Sequence, residues 1–207
     1  MIDRRTLLVS AAAATAAMAS PAQAITPVGP DDMVLGSPSA PVTVIEYASA
    51  SCPHCARWSI DVFPEFRRRF IQTGQVRYVM REFLTDPAEL AAAGFLTARC
   101  GGRGRYFDIL EAVFAAQAEV YQTRDIAGPL SRVAQRFGID RGAFNACLND
   151  QAALRALNAR VERYARNDSV DSTPTFIVNG RRLVGEQSIE AMAAAIASAG
   201  GAAGGGK

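Results

Sequence analysis

Two cysteines separated by two residues, Cys52 and Cys55, are the side chains whose type and spacing most directly indicate chemistry. They follow an apolar run at 42–47 that predicts a strand, and they precede a segment with helical spacing that starts near Ala56. A cysteine at a helix N-cap faces free backbone N–H groups and the positive end of the helix dipole, which both favour a thiolate. Pro53 suits the first helical position because its missing N–H has no partner there. We therefore predict that Cys52 is a reactive thiolate and that Cys55, one turn further along, closes a disulfide with it.

His54 lies between the two cysteines and is the only histidine in the chain. A Cys-His protease or a Ser-His hydrolase needs a histidine remote from its nucleophile, which this chain lacks. Haem attachment needs a histidine directly after the second cysteine, where this chain has alanine. A zinc site would need a second ligand pair, but Cys100 and Cys147 are separated from each other, so we expect no metal. We predict instead that a charged His54 stabilises the Cys52 thiolate, which would make the disulfide a stronger oxidant.

The N-terminal segment 1–24 has the features of a secretion signal, with Arg4 and Arg5 before an apolar stretch at 7–19. Small residues precede the expected cleavage site after Ala24. We predict export to the periplasm, with the Sec pathway ahead of the twin-arginine pathway, which the arginine pair also permits. Disulfides persist in that compartment.

Cys100 and Cys147 complete an even count of four cysteines and lie near predicted helix ends. In an oxidising compartment we expect them to form a structural disulfide, and two buried free thiols are the alternative. In the chain-entropy model, closing such a loop stabilises the fold by roughly 4 kcal/mol. A sharper alternative is that this bridge also tunes the redox pair.

The composition is that of a soluble globular protein, with 49% hydrophobic residues, 20% charged residues and a formal net charge of +2. The near-neutral charge argues against nucleic acid as a partner. Short arginine clusters such as 67–69 and 181–182 are typical of solvated faces and turns.

The apolar pattern predicts a strand–helix–strand unit followed by a helical block. The strands are expected at 42–48 and 76–83, with an additional edge strand at 33–36, and the helix between them is long and kinked at Pro64. The expected helices of the block lie at 88–100, 105–120, 126–137, 141–148 and 151–166.

Strand signals return after the block, at 175–178 and 181–184. Asn179 and Gly180 join them and suit the two positive-φ positions of a type I′ turn, so a β-hairpin is predicted. A last helix is expected at 188–199, followed by a disordered tail at 200–207.

These features together resemble the DsbA-like branch of the periplasmic thiol-disulfide oxidoreductases. The features are the Cys52-Pro53-His54-Cys55 motif, Glu46 on the preceding strand and Thr173-Pro174 before the hairpin, and the resemblance extends from Met33 to about Ala199. It implies an α/β protein with a thioredoxin-like fold (βαβ…ββα) and an inserted all-helical domain. The implied thioredoxin-like domain is discontinuous, at 25–84 and 170–199, and the inserted helical domain covers 85–169.

The resemblance also implies roles for particular residues. Pro174 would follow a cis peptide bond in a turn that faces the active-site disulfide, with substrate backbone pairing alongside Thr173. Glu46 would be a buried acid beneath the disulfide that relays the proton of Cys55; an exposed sheet carboxylate is the alternative. Ser59 is a departure, because some relatives have a second acid there. Trp58 is expected to pack in the core rather than to bind substrate.

We therefore expect an exported oxidase of protein thiols that works through the Cys52–Cys55 pair, with this redox-active disulfide and no other cofactor. Its partners would be reduced unfolded or partly folded exported proteins and a quinone-linked membrane protein of the DsbB type, and the chain would be a monomer. A disulfide isomerase or reductase of the same fold is the nearest alternative. A non-catalytic binding module, in which the two cysteines form a static disulfide, is the alternative from another class.

Overall fold

The computed structural model describes residues 25–204, with side chains through residue 200, so the predicted signal peptide and its cleavage site lie outside the described residues. Within this part of the chain the strands form one five-stranded sheet in the order β1-β3-β2-β4-β5. The strands are β1 (Met33–Leu35), β2 (Val42–Ala48), β3 (Val76–Glu82), β4 (Thr175–Val178) and β5 (Arg181–Val184). Each predicted strand is present.

β2 lies at the centre of the sheet, parallel to β3 and antiparallel to β4. Its side chains are almost all buried, because successive residues point to opposite faces and both faces are covered. Glu46 and Tyr47 are neighbours in this strand and therefore lie on opposite faces of the sheet. β2 ends at Ala48, four residues before Cys52, which places the cysteine pair at the end of the central strand.

The segment after the cysteine pair forms three short helical pieces instead of the predicted long helix. They are α1 (Pro53–Asp61), α2 (Phe63–Phe66) and a π-helical turn (Arg67–Ile71). The break falls at Val62, two residues before Pro64, which lies in the first turn of α2. Proline has no N–H to donate to the preceding turn, so the helix ends and restarts there rather than bending smoothly.

The helical block follows β3 in the positions that the apolar spacing predicts, to within three residues at each end. Its helices are α3 (Ala88–Cys100), α4 (Tyr106–Thr123), α5 (Ala127–Arg136), α6 (Arg141–Asn149) and α7 (Gln151–Asn167). Residues of the block and residues of the sheet share one hydrophobic cluster, in which Phe107 and Phe114 of α4 join Trp58 and Tyr78. The division into two domains stays a prediction.

The C-terminal part begins with the predicted hairpin. Asn179 (φ 43°) and Gly180 (φ 91°) both have positive φ, as a type I′ turn requires. α8 (Ile189–Gly204) continues past the predicted end, so the prediction of a disordered tail is wrong for residues 200–204, and residues 205–207 lie outside the described range. Alanine has the highest helix propensity, and the alanines around Gly200 offset the cost of about 1 kcal/mol for a glycine inside a helix.

None of the helices between residues 25 and 204 combines the length and the apolar character needed to cross a membrane.

Candidate active site

Cys52 occupies the N-cap of α1, with extended backbone angles (φ −79°, ψ 119°) and Pro53 at the start of the helix. Its sulfur accepts a hydrogen bond from the backbone N–H of Cys55 at 3.4 Å. The pKa of Cys52 is lowered to about 5, chiefly by the hydrogen bond from the Cys55 thiol; burial opposes this shift, whereas Thr173 and the backbone N–H groups of Cys55 and His54 favour it. Cys52 is therefore a thiolate at neutral pH, as the N-cap position predicts.

The pKa of Cys55 is shifted in the opposite direction. Its side chain is fully buried one turn into α1, and both cysteines are free thiols in this structure. Burial is the largest cause that raises the pKa of Cys55 far above its usual value, followed by its hydrogen bond to Cys52 and the nearby charge of Glu46. At neutral pH the pair thus holds one thiolate and one thiol.

Glu46 lies beneath the cysteine pair with only 1% of its surface exposed, which excludes an exposed sheet carboxylate. Its carboxylate accepts a hydrogen bond from the Tyr78 hydroxyl on β3. Burial raises the pKa of Glu46 to about 8, the hydrogen bond from Tyr78 opposes that increase, and the charge of Cys52 adds to it. Glu46 can therefore gain and lose a proton near neutral pH, which is the property that a proton relay requires.

The Thr173-Pro174 turn lies against the cysteine pair. The peptide bond before Pro174 is cis, and the carbonyl oxygen of Thr173 is 3.4 Å from the Cys52 sulfur. β4 begins at the next residue, so the turn joins the cysteine end of β2 through the sheet. The Asp86-Pro87 bond is also cis, and nothing in the sequence predicts it.

His54 is exposed at the rim of the site, where its ring contacts a residue that the sequence analysis missed. Nδ1 of His54 is 2.5 Å from a carboxylate oxygen of Glu186, which also accepts a hydrogen bond from Arg57 at 2.5 Å. Glu186 follows β5 and has no local sequence signal that links it to the site. The backbone N–H of His54 lowers the pKa of Cys52, whereas the effect of a charged His54 ring on Cys52 stays a prediction.

Two further side chains that the sequence analysis missed come from α4 and hold the loop before α1. Gln117 is 4% exposed and donates to the carbonyl oxygens of Ala50 (2.9 Å) and Cys52 (3.2 Å). The hydroxyl of Tyr121 donates to the carbonyl oxygen of Ser51 at 2.5 Å. Because these contacts join residues 65 to 70 positions apart, local pattern gives no sign of them.

Cys100, Cys147 and Trp58 have structural roles. Cys100 and Cys147 form a disulfide with a Cα–Cα distance of 6.0 Å, which joins the end of α3 to α6. Trp58 is 2% exposed, packs on Phe176 with ring centroids 4.7 Å apart and donates its indole N–H to a backbone oxygen, so it is part of the core. Ser59 is buried on the same helix.

Among the residues that the structure describes, no group of three or more His, Cys, Asp or Glu side chains is placed to hold a metal ion.

The chain is similar to known proteins in both sequence and structure. A family model described as Thioredoxin matches residues 29–198. A Rickettsia conorii protein that is assigned by name to the protein-disulfide oxidoreductases is 33% identical over 167 residues, which are 80% of this chain and 59% of that protein. The chain thus spans about three fifths of the length of this curated relative.

Solved structures give a closer match in length. Wolbachia pipientis alpha-DsbA1 has a TM-score of 0.77 and 27% identity, with coverage of 86% of this chain and 94% of the Wolbachia chain. A protein-disulfide isomerase from Novosphingobium aromaticivorans has a TM-score of 0.71 at 23% identity, covering 81% of this chain and 96% of its own, a likeness that supports the fold alone.

Proposed function

The chain belongs to the thioredoxin family, with a DsbA-type fold, and from this premise we propose that it is an exported thiol-disulfide oxidoreductase that introduces disulfides into other exported proteins. The observation that carries the proposal is the asymmetry of the cysteine pair, with the pKa of Cys52 lowered to about 5 and that of the buried Cys55 raised. A stable Cys52 thiolate stabilises the reduced form of the cysteine pair. When the reduced form is stabilised, the disulfide form is a stronger oxidant.

The proposed reaction begins with the oxidised Cys52–Cys55 pair. A client thiolate attacks the Cys52 sulfur, a client–Cys52 disulfide forms, and the Cys55 sulfur leaves and takes up a proton. A second client thiolate then attacks the first client sulfur, and Cys52 leaves as a thiolate. Two electrons pass from the client to the cysteine pair, and the client gains one disulfide.

Three neighbouring groups support these steps. The carbonyl oxygen of Thr173 lies 3.4 Å from the Cys52 sulfur, where an extended client backbone could pair with the chain before Pro174. Glu46, with a pKa of about 8, would supply the proton that Cys55 takes up. The N-terminus of α1 stabilises the leaving Cys52 thiolate through backbone N–H groups.

We propose as partners reduced unfolded or partly folded exported proteins, together with a quinone-linked membrane protein of the DsbB type that reoxidises the pair. We further propose a periplasmic location, a monomeric state and no cofactor beyond the redox-active disulfide.

Oxidative refolding of a reduced, unfolded disulfide protein tests the proposal. We expect the oxidised wild type to restore client activity and Cys52→Ser to have none, because it lacks the sulfur that the client attacks. The double variant C100A/C147A is the control, since it removes the structural disulfide and keeps the redox pair; it should retain activity. Equal client recovery with wild type and C52S would sink the proposal.

Two further measurements separate the alternatives. Repair of a scrambled client together with poor oxidation of dithiols would identify an isomerase or reductase. A Cys52 thiol with a pKa near the ordinary value of about 8.5 would instead favour a binding module with a static disulfide.

A further inference from the structure

A small cavity lies between the central strands, α1 and α4, and the buried carboxyl group of Glu46 forms part of its lining. Glu46 from β2 and Ser59 from α1 form part of its wall, and Glu111 from α4 forms another part. The rest of the wall is mainly apolar, with Trp58, Phe63, Tyr78, Met80, Phe107, Leu110 and Phe114. The cavity has room for about one water molecule and contains polar partners for it.

The two carboxylates at this cavity differ in their access to solvent. Glu46 is 1% exposed, whereas about a third of the Glu111 side chain is exposed. Glu111 also pairs with Arg67 at 3.1 Å, and Arg67 in turn contacts Asp108 at 3.4 Å. A fully buried acid and an acid that reaches the surface therefore line the same cavity.

The proposed reaction needs a route for protons between a buried acid and solvent. Each redox cycle moves one proton onto Cys55 and later removes it, and Glu46 is the carboxyl group positioned to do both. A client that pairs alongside Thr173 during the mixed-disulfide stage would cover the Cys52 sulfur, which lies 3.4 Å from the Thr173 carbonyl oxygen. Because Glu46 is itself only 1% exposed, its proton has to reach solvent through neighbouring groups, and the cavity that it lines offers such a route.

We propose that Glu111, through Ser59 and a water molecule in this cavity, transfers protons between the buried carboxyl group of Glu46 and solvent. The proposal rests on the proposed function and adds a positioning residue from the helical block to it. Ser59 carries no charge of its own, so it can only pass a proton on, and the acid that exchanges with solvent is on α4. Burial raises the pKa of Glu111, and Arg67 opposes that shift, which keeps the group able to hold a proton transiently.

Titratable or charged groups surround both carboxyl groups of this route. Glu46 interacts with Tyr78 from β3, with Cys52 at the N-cap of α1 and with Cys55 in α1. Glu111 faces Arg67 from the π-helical turn and Asp108 from its own helix. Asp108 shares the Arg67 partner with Glu111 but does not line the cavity, so it provides a matched control.

The test is closure of the Cys52–Cys55 disulfide by excess oxidised glutathione, followed in stopped flow through Trp58, the single tryptophan of the chain. The Cys52 thiolate first attacks glutathione disulfide and releases one glutathione thiolate, at a rate that depends on glutathione concentration. Cys55 then gives its proton to Glu46, and its sulfur attacks Cys52 and expels the second glutathione thiolate. Two electrons pass to glutathione, and this closure rate is independent of its concentration.

We expect E111Q to slow closure about tenfold at pH 7, with D108N within about twofold of the wild type, as a partial loss of acid–base assistance would predict. The glutathione-dependent first step should be unchanged in both variants, because Cys52 is already a thiolate. E111D should recover part of the rate, and S59A should fall between E111Q and the wild type. A merely structural role of Glu111 would alter both phases together.

Normal closure in E111Q, or equal slowing in E111Q and D108N, would overturn the proposal. If E111Q does not fold, S59A decides, and normal closure in S59A would overturn the proposal. Closure does not require a protein client, so the two proposals fail separately. A wild type that oxidises no client but shows Glu111-dependent closure would remove the proposed function and leave this route intact.

Discussion

Glu46 and Tyr47 are neighbours in β2, but they point to opposite faces of the sheet and belong to two buried polar clusters that differ in charge balance. On one face, Glu46 has the neutral hydroxyl of Tyr78 as its hydrogen-bond partner. On the other face, the hydroxyl of Tyr47 joins an ion-paired cluster centred on Arg81 of β3. The same central strands thus support one cluster that titrates near neutral pH and one that holds the fold together.

The Arg81 cluster pairs its buried charges. The side chain of Arg81 is fully buried and contacts Asp168 at 2.7 Å and Asp32 at 3.3 Å. It also donates to the carbonyl oxygen of Thr26 at 2.7 Å, and its guanidinium lies over the ring of Tyr164, 4.0 Å from the centroid. Burying an ion is tolerable when its partners and hydrogen bonds are complete, so this cluster fixes residues 26–32 against the sheet.

The Glu46 cluster lacks a cationic partner among the contacts described for it. Desolvation is then uncompensated, and the pKa of Glu46 rises to about 8. A carboxyl group in that state costs stability but exchanges protons at neutral pH. The comparison teaches that the face with incomplete charge pairing is the reactive one.

Removal of Arg81 should have the largest effect, because it leaves two buried carboxylates unpaired. We expect Arg81→Met to lower the free energy of unfolding by about 3 to 5 kcal/mol, the range for breaking a buried ion pair. Arg166→Met is the control, because the Arg166–Glu162 pair on α7 is exposed and should contribute less than about 1 kcal/mol. Urea denaturation measures both, and similar losses in the two variants would show that the Arg81 cluster is not structural.

Neutralising Glu46 should raise the free energy of unfolding instead of lowering it. A folded-state pKa above the unfolded value means that the wild type loses stability as pH rises from about 4.5 to about 8. Glu46→Gln removes this loss, so we expect it to be about 3 kcal/mol more stable than the wild type at pH 7 and equally stable at pH 4. Denaturation at the two pH values measures this, with Glu162→Gln as the exposed control. A stability gain that is the same at both pH values would contradict the assigned titration. The E46Q variant should also slow disulfide closure.

Removal of the Tyr78 hydroxyl should have the smallest of these effects, a shift in the pKa of Glu46. The hydrogen bond from Tyr78 lowers the pKa of Glu46, so Tyr78→Phe should raise that pKa further, by about one unit. The carboxyl carbon of Glu46, labelled with ¹³C and identified by its absence in E46Q, reports the titration by NMR. Tyr47→Phe removes a hydroxyl from the opposite face and should leave the titration in place. An unchanged midpoint in Y78F would show that the hydroxyl does not set the pKa of Glu46.

The sequence predicts the local features of this protein well. The ends of β2, the hairpin and α3 follow from apolar period and turn residues, and the N-cap position of Cys52 follows from its place between a strand and Pro53. The family resemblance, and not the local pattern, predicts that Glu46 is buried, since a lone acid in an apolar strand does not by itself show what covers it.

The features that the sequence did not predict depend on distant contacts. Arg81 is 49 and 87 residues from its carboxylate partners, and Glu186 is 132 residues from His54. The alternation within β3 predicts the face of the sheet to which the Arg81 side chain points. It does not show which charged groups lie on that face. The interruption predicted at Pro64 falls two residues earlier, at Val62, because the proline marks the place in the sequence while the hydrogen bond that it cannot donate is lost from the preceding turn.

The most direct test of the central claim is titration of the Cys52 thiolate by its absorbance near 240 nm in the reduced protein, with C52S as the blank. The structure predicts a midpoint at about pH 5, with Cys55 silent over the neutral range because its pKa is raised. A midpoint near the ordinary cysteine value of about 8.5 would contradict the account, since neither an activated nucleophile nor a stabilised reduced pair would then exist.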